Sequence, residues 1–138
     1  MSSLLLALIA VAMFSPSLAA QNGGRTTHSG VYSRDQANRG QDVYMGMCKS
    51  CHSPDAYTAA TFTSKWEGKP LSELYVFIRD NMPKNEPGSM TAEEYADVLA
   101  YLLRINRMPA GDADLPADAD RMKSIRFQTK PTVVRKEK

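Results

Sequence analysis

Apolar side chains recur at intervals of three and four residues along three stretches of the chain, which is the spacing of one face of an α-helix. The stretches cover residues 35–48, 71–82 and 91–107. The second ends before Pro83, because proline disfavours a helical residue in front of it. The third opens with TAEE, a capping-box sequence. No alternating strand pattern accompanies them, so the sequence predicts an all-α fold with three main helices.

The segments between these helices carry turn-forming residues. Residues 53–70 hold two prolines and several threonines around Phe62 and Trp66, and they predict a loop anchored by two aromatic rings. The segment MPKNEPGSM, residues 82–90, predicts a second loop. Beyond the third helix an extension from about residue 110 has four apolar residues available for packing, namely Leu115, Met122, Ile125 and Phe127. We therefore place the folded domain at residues 35–127.

The two ends of the chain differ from this body. Residues 1–19 contain an apolar run too short to span a bilayer, followed by small residues that suit cleavage before Ala20, so they predict a secretory signal peptide. Residues 20–34, rich in Gly, Ser, Thr and Asn, predict a flexible leader. Residues 128–138 predict a disordered basic tail. Export would place the mature chain in an oxidising compartment.

Composition and charge indicate one globular domain and argue against nucleic-acid binding. An apolar content of 43% and a charged content of 23% over 138 residues are typical of one globular domain. The net charge of +2 is small, and no basic stripe interleaved with aromatic residues occurs in the body of the chain. Nucleic acid is therefore not an expected partner.

The chemistry is concentrated in the sequence CKSCH, where Cys48, Cys51 and His52 follow the first predicted helix. Three interpretations compete for these side chains, namely a redox disulfide, a metal site and a covalently attached haem. A thioredoxin-like site expects a βαβ setting, and a structural zinc site needs a fourth ligand, for which the only other histidine is His28 in the predicted leader. The spacing C-x-x-C-H is the known signal for c-type haem attachment. We expect one haem c, bound covalently through two thioethers, with His52 on the iron.

A low-spin electron carrier needs a second axial ligand, and methionine is the thioether that raises the potential of a His-ligated haem. Met45 and Met47 lie on the helix that enters the motif and Met108 follows the last helix, which leaves Met82 and Met90 as the candidates. Met82 is favoured because it ends a helix beside a proline that can fix the following loop. Most of the eight methionines are expected to fill the core.

With these residues in place, residues 36–116 resemble the class I c-type cytochromes. The resemblance rests on the helix ANRGQDVYMGMCKSCH, the segment FTSKWEGKPLSELYVFIRDNMPKNEPGSM and the helix EEYADVLAYLLRINRMPAG. It extends to the small single-haem bacterial cytochromes that serve quinoprotein alcohol and sugar dehydrogenases. The resemblance implies a cytochrome c fold, with iron held by His52 and Met82 and with Trp66 near a haem propionate. The alternative role of Trp66 is that of an aromatic residue that only packs in the core.

The resemblance also implies helix packing in which Gly40 and Tyr44 lie where the first helix crosses the last, near Ala100 and Tyr101. One departure concerns the loop after CKSCH, which reads SPDAYTAATF and lacks the glycine and proline usual in the family. That proline supplies the carbonyl that orients the proximal imidazole. For His52 the candidate acceptors are the carbonyls of Pro54 and of a residue near Ala59.

The sequence thus predicts a periplasmic, non-enzymatic electron-transport protein. It would carry single electrons between a dehydrogenase and an acceptor such as a terminal oxidase, with redox proteins as partners and without a membrane span in the mature chain. One alternative is a permanent cytochrome subunit of a dehydrogenase complex. Another is a haem enzyme or gas sensor whose sixth iron position is open.

Overall fold

The computed structural model describes residues 24–131, so the predicted signal peptide and residues 132–138 of the predicted tail lie outside the described residues. Among the described residues the regular structure is helical, with isolated β-bridges and no strand. The all-α prediction is therefore confirmed. The helices are α1 (Arg34–Met47), α2 (Ala60–Trp66), α3 (Leu71–Asn81), α4 (Ala92–Ile105) and α5 (Ala119–Met122), with a 3-10 turn at Pro54–Tyr57.

Helices α1 and α4 form the main helix–helix interface, and both start at side-chain caps. Ser33 caps α1 by accepting a hydrogen bond from the Gln36 backbone, and Thr91 and Glu94 form the predicted capping box of α4. The helices approach so closely that a Cβ on Gly40 would lie 1.8 Å from the Asp97 carbonyl oxygen. Only glycine permits this contact, which lies at Asp97, about one turn before the Ala100 and Tyr101 that the resemblance implies. The Tyr44 ring does lie beside that of Tyr101, with centroids 5.1 Å apart.

Helix α2 corrects the prediction of a loop over residues 53–70. Its seven residues have no side-chain cap, and Trp66 is its one buried residue, so the sequence shows no apolar period that would predict a helix here. The helix forms because Phe62 and Trp66, four residues apart, both pack into an aromatic cluster. The ring of Phe62 lies 5.2 Å from that of Tyr57 and 6.3 Å from that of Phe127. Tertiary packing stabilises a helix whose local sequence does not.

The segment before α1 corrects the boundary of the predicted flexible leader. Thr27, Val31 and Tyr32 are all at most 2% exposed. The Thr27 amide donates to the carbonyl of Arg126 at 2.9 Å, which pairs this segment with the C-terminal extension in parallel. The folded unit therefore includes residues 24–34, because a few apolar and hydroxyl side chains find partners about a hundred residues away.

The C-terminal extension packs on the helices, and its four predicted anchors are all buried: Leu115, Met122, Ile125 and Phe127. The buried side-chain amide of Gln36 donates to the Leu115 carbonyl at 2.9 Å and accepts from the Leu115 amide at 2.6 Å. The packing continues past the predicted end at residue 127. Gln128 exchanges two hydrogen bonds with the Thr27 hydroxyl, and the Thr129 hydroxyl donates to Glu67. The start of the predicted disordered tail is therefore placed too early.

Over residues 24–131 no helix is long and apolar enough to cross a membrane. The apolar core lies between α1, α3 and α4, and the extension covers the open side of α3 through α5. This arrangement leaves the C-terminal end of α1 and that of α3 free to present the residues that carry the chemistry.

Candidate functional site

The CKSCH residues lie on one helical turn that continues α1. The Cys51 and His52 amides both donate to the Cys48 carbonyl, at 3.1 and 3.0 Å. Because side chains three and four residues apart share a helix face, this turn holds both thiols and the imidazole together. Cys48 and His52 are half-buried and Cys51 is exposed. The structure thus brings together the three residues that the sequence predicted as one site.

Two tyrosines surround this turn. The Tyr44 hydroxyl donates to the His52 carbonyl at 2.6 Å. The ring of Tyr57 packs edge-on against Tyr44 and against the His52 imidazole, with both centroid distances at 5.9 Å. Burial, and secondly the neighbouring Cys48, raises the pKa of Tyr57 to about 12. Burial is also the main cause of the raised pKa of Tyr44. Both hydroxyls therefore stay protonated and able to donate at neutral pH.

The Cys48 thiol lacks the lowered pKa that is typical of a disulfide exchanger. Both cysteines are free. Burial raises the pKa of the Cys48 thiol, whereas a redox-active C-x-x-C site lowers the pKa of its attacking cysteine. Within residues 24–131 no group of three or more His, Cys, Asp or Glu residues is placed to hold a metal ion. The zinc interpretation therefore lacks its remaining ligands in this part of the chain.

The two candidate methionines lie in different surroundings. Met82 caps the C-terminal end of α3, is half-buried, and packs against the core. Its carbonyl accepts a hydrogen bond from the Tyr95 hydroxyl of α4 at 2.7 Å. Met90 is 8% exposed and belongs to the core, beside a surface groove that Arg79 also lines. Met82 is therefore the more exposed of the two residues.

Trp66 is 4% exposed and belongs to the apolar core. Its ring lies 5.5 Å from that of Phe77, and the Nζ atoms of Lys65 and Lys69 lie 5.0 and 5.3 Å from its centroid. A groove of about 420 Å³ runs beside it. These contacts fit a core aromatic, and the two cations would also suit a nearby carboxylate such as a propionate.

The predicted acceptors for the proximal imidazole are not engaged. Among the described residues, no hydrogen bond joins the His52 ring to Pro54 or to a carbonyl near Ala59. The backbone of His52, rather than its ring, is held, and Tyr44 holds it. The ring has its contact with Tyr57 instead.

The donor set fits a covalently bound haem. Two free thiols at the C-x-x-C spacing can each form a thioether, and the adjacent imidazole is a nitrogen ligand for iron. The backbone leaves the CKSCH turn at Ser53, which is extended, and the 3-10 turn that follows places the Tyr57 ring edge-on against the imidazole. The described geometry of the turn is compatible with a haem bound through these residues.

Sequence reasoning did not identify Tyr57, nor the contacts of Tyr44 and Tyr95 with the candidate ligands. A signal was present, because these are tyrosines at positions where phenylalanine would also pack. A buried hydroxyl is costly without a partner, so a tyrosine in a core stripe indicates a hydrogen bond to be found.

One of the comparisons with known proteins gives a match, and the matched segment contains this site. The family model described as cytochrome C oxidase, cbb3-type, subunit III matches residues 35–102, just under half of the chain, from α1 through most of α4. This match supports a class I c-type cytochrome domain, and the architecture is an all-α cytochrome c fold. No curated protein and no solved structure matches the chain.

Proposed function

We propose that the protein is an exported mono-haem c-type cytochrome that carries single electrons between a dehydrogenase and a downstream acceptor such as a terminal oxidase. The turn that joins Cys48, Cys51 and His52, inside the segment that the cytochrome family model matches, carries this proposal. The bound haem would supply reversible one-electron chemistry at iron. We assign no catalytic residue, since a haem with two protein ligands has no open position for a substrate.

We assign the residues the following roles as part of this proposal. Cys48 and Cys51 anchor the group, His52 binds iron, and Met82 supplies the second ligand from the end of α3. Thioether coordination favours ferrous iron and so raises the reduction potential. Trp66, packed against aromatic rings and flanked by two lysines, lies near a propionate of the group. The signal peptide and the periplasmic location are part of the same proposal.

Attachment is tested by denaturing electrophoresis with haem staining. Haem should stay with the wild-type chain, and replacing Cys48 and Cys51 together by Ala should abolish the stain. A wild-type chain that loses its haem on denaturation would exclude covalent attachment, and a colourless protein would favour disulfide exchange.

The second ligand is tested by two matched substitutions. Met82→Leu should abolish the long-wavelength band of methionine-ligated ferric haem and lower the reduction potential, while Met90→Leu should leave both unchanged. The reverse pattern would move the ligand to Met90. Rapid binding of carbon monoxide to the reduced wild-type protein would instead favour an enzyme or sensor with an open sixth position.

A second candidate function is a lasting subunit of an electron-transfer complex. The matched family is described as a subunit of an oxidase, which favours an oxidase complex beside the dehydrogenase complex and the quinoprotein partners that the sequence suggested. Purification from the source under mild conditions separates the two: a subunit should elute with its complex at high salt, and a free carrier should elute alone.

A further inference from the structure

Four buried tyrosines in this protein share one arrangement, in which the ring lies in the core and the hydroxyl donates to a backbone carbonyl. Each is at most 2% exposed. Each acceptor lies outside the helical turn of its tyrosine, between 8 and 76 residues away along the chain. The pairs are Tyr32 with Met108 at 2.6 Å, Tyr44 with His52 at 2.6 Å, Tyr75 with Ala92 at 3.2 Å and Tyr95 with Met82 at 2.7 Å.

Two of these four acceptors are the carbonyls of the two proposed iron ligands. Tyr44 belongs to α1 and Tyr95 to α4. These are the helices that meet in backbone contact at Gly40, so they form one closely packed unit. The main chains of His52 and Met82 are therefore both tied to the same helix pair, one from each helix.

Each of these carbonyls lies where the chain leaves a helix. The Met82 amide still donates to Ile78 and closes α3, but the residue that follows is Pro83, and Met82 itself is extended. The His52 amide closes the CKSCH turn on Cys48, and the chain is extended again from Ser53. Past these points no helical hydrogen bond of either ligand's own element fixes its carbonyl. The tyrosine hydroxyl supplies that restraint.

We propose that Tyr44 and Tyr95 are positioning residues that hold His52 and Met82 at fixed places relative to the α1–α4 pair, so that both ligands reach the iron without rearrangement. This inference rests on the proposed function, and specifically on ligation by His52 and Met82. Neither tyrosine touches the iron in this scheme. Each acts through the backbone of a ligand, which keeps the ligand-bound state populated.

The test compares three Tyr→Phe variants of the haem-loaded protein, each of which removes one hydroxyl and keeps the ring. Tyr32→Phe is the matched control, because its hydrogen bond has the same length as that of Tyr44 and an acceptor, Met108, that is not a proposed ligand. All three variants should lower the urea midpoint of unfolding to a similar degree. A purely structural role predicts no difference among them beyond this.

The discriminating readout is the binding of added imidazole to the ferric haem, which requires Met82 to leave the iron. Its apparent affinity rises in proportion to the population of the Met-free state. Losing a hydrogen bond that holds Met82 should raise that affinity roughly five- to tenfold in Tyr95→Phe. Tyr32→Phe should bind imidazole as the wild type does. Tyr44→Phe should shift the reduction potential, and Tyr32→Phe should leave it unchanged.

The outcomes separate this inference from the function on which it rests. Equal imidazole affinity in Tyr95→Phe and Tyr32→Phe, with unchanged potentials in all three variants, would overturn the positioning role while leaving a cytochrome with a methionine ligand. Loss of the methionine band in Met90→Leu instead of Met82→Leu would overturn the ligand assignment itself. If Tyr95→Phe does not take up haem, para-aminophenylalanine at position 95 restores a donor at the same place and should return imidazole affinity to the wild-type value; a raised affinity would count against the hydrogen bond.

Discussion

Replacing Gly40 by alanine tests the contact on which the helix pair depends. The added Cβ would lie 1.8 Å from the Asp97 carbonyl oxygen and 2.3 Å from the Asp97 carbonyl carbon. Both atoms belong to the backbone of α4, so no side-chain rotation can relieve the overlap. The helices would have to move apart by at least about 1 Å along an interface packed like a crystal.

The cost follows from two opposed terms. Overpacking of a core contact costs about 1–3 kcal/mol and sometimes more, and a rigid backbone neighbour places this site at the upper end. Alanine recovers up to about 1 kcal/mol through its better helix propensity. We expect a net loss of roughly 2 kcal/mol in the free energy of unfolding, which lowers the midpoint temperature by about 10 °C for a domain of this size.

The control is Gly46→Ala on the same helix, where nothing lies within 4 Å of the added Cβ. That change should raise stability by about 0.5–1 kcal/mol. Thermal and urea unfolding of the haem-loaded variants, followed by circular dichroism and by haem absorbance, measures both. If Gly40→Ala were as stable as Gly46→Ala, the close approach of α1 and α4 would be wrong. Tyr44 and Tyr95 would then lack the closely packed helix pair from which they are proposed to hold His52 and Met82.

Two further predictions concern the extension and its acid response. Gln36→Leu should cost at least about 2 kcal/mol in urea unfolding, because both buried backbone groups of Leu115 lose their partner; a neutral result would detach the extension from the fold. Hydrogen bonds from Ser33 and then Arg39 lower the pKa of Asp114, so its stabilisation is complete above its unfolded value near 4 and is lost as the pH falls through the folded value. Wild type and Asp114→Asn should therefore differ in their free energy of unfolding by less than about 1 kcal/mol, because the carboxylate is half exposed. This difference should shrink as the pH falls below about 4. A difference that grew on acidification would contradict the prediction.

The three main helices and the C-x-x-C-H site could be predicted because their signals are local. The capping box of α4 lies within four residues, and the turn that holds Cys48, Cys51 and His52 needs only the helical period. Periodicity and spacing decide such features before any tertiary contact forms. The family resemblance then added Gly40, whose role requires a second helix.

The parts that sequence could not predict depend on distant partners. Thr27 resembles any residue of a polar leader until its hydroxyl meets Gln128, about a hundred positions later. Helix α2 is stabilised by the aromatic packing of Phe62 and Trp66 rather than by a cap. The hydrogen bonds of the tyrosine hydroxyls could not be predicted either. A tyrosine in an apolar stripe indicates that its hydroxyl has a partner, but the sequence does not identify that partner.

The pairing of residues 25–27 with residues 126–128 also determines how the domain would respond to mechanical force. The two segments run parallel, and their bonds include Arg126 to Arg25 at 2.8 Å and Thr27 to Arg126 at 2.9 Å. A pull applied to the two ends of the described chain would act in opposite directions along this pair, so the bonds would be loaded in shear and would break together. Forced unfolding, whose rate is set by the unfolding barrier, would therefore begin with the separation of these two terminal segments. The CKSCH turn would be disturbed only after they had separated.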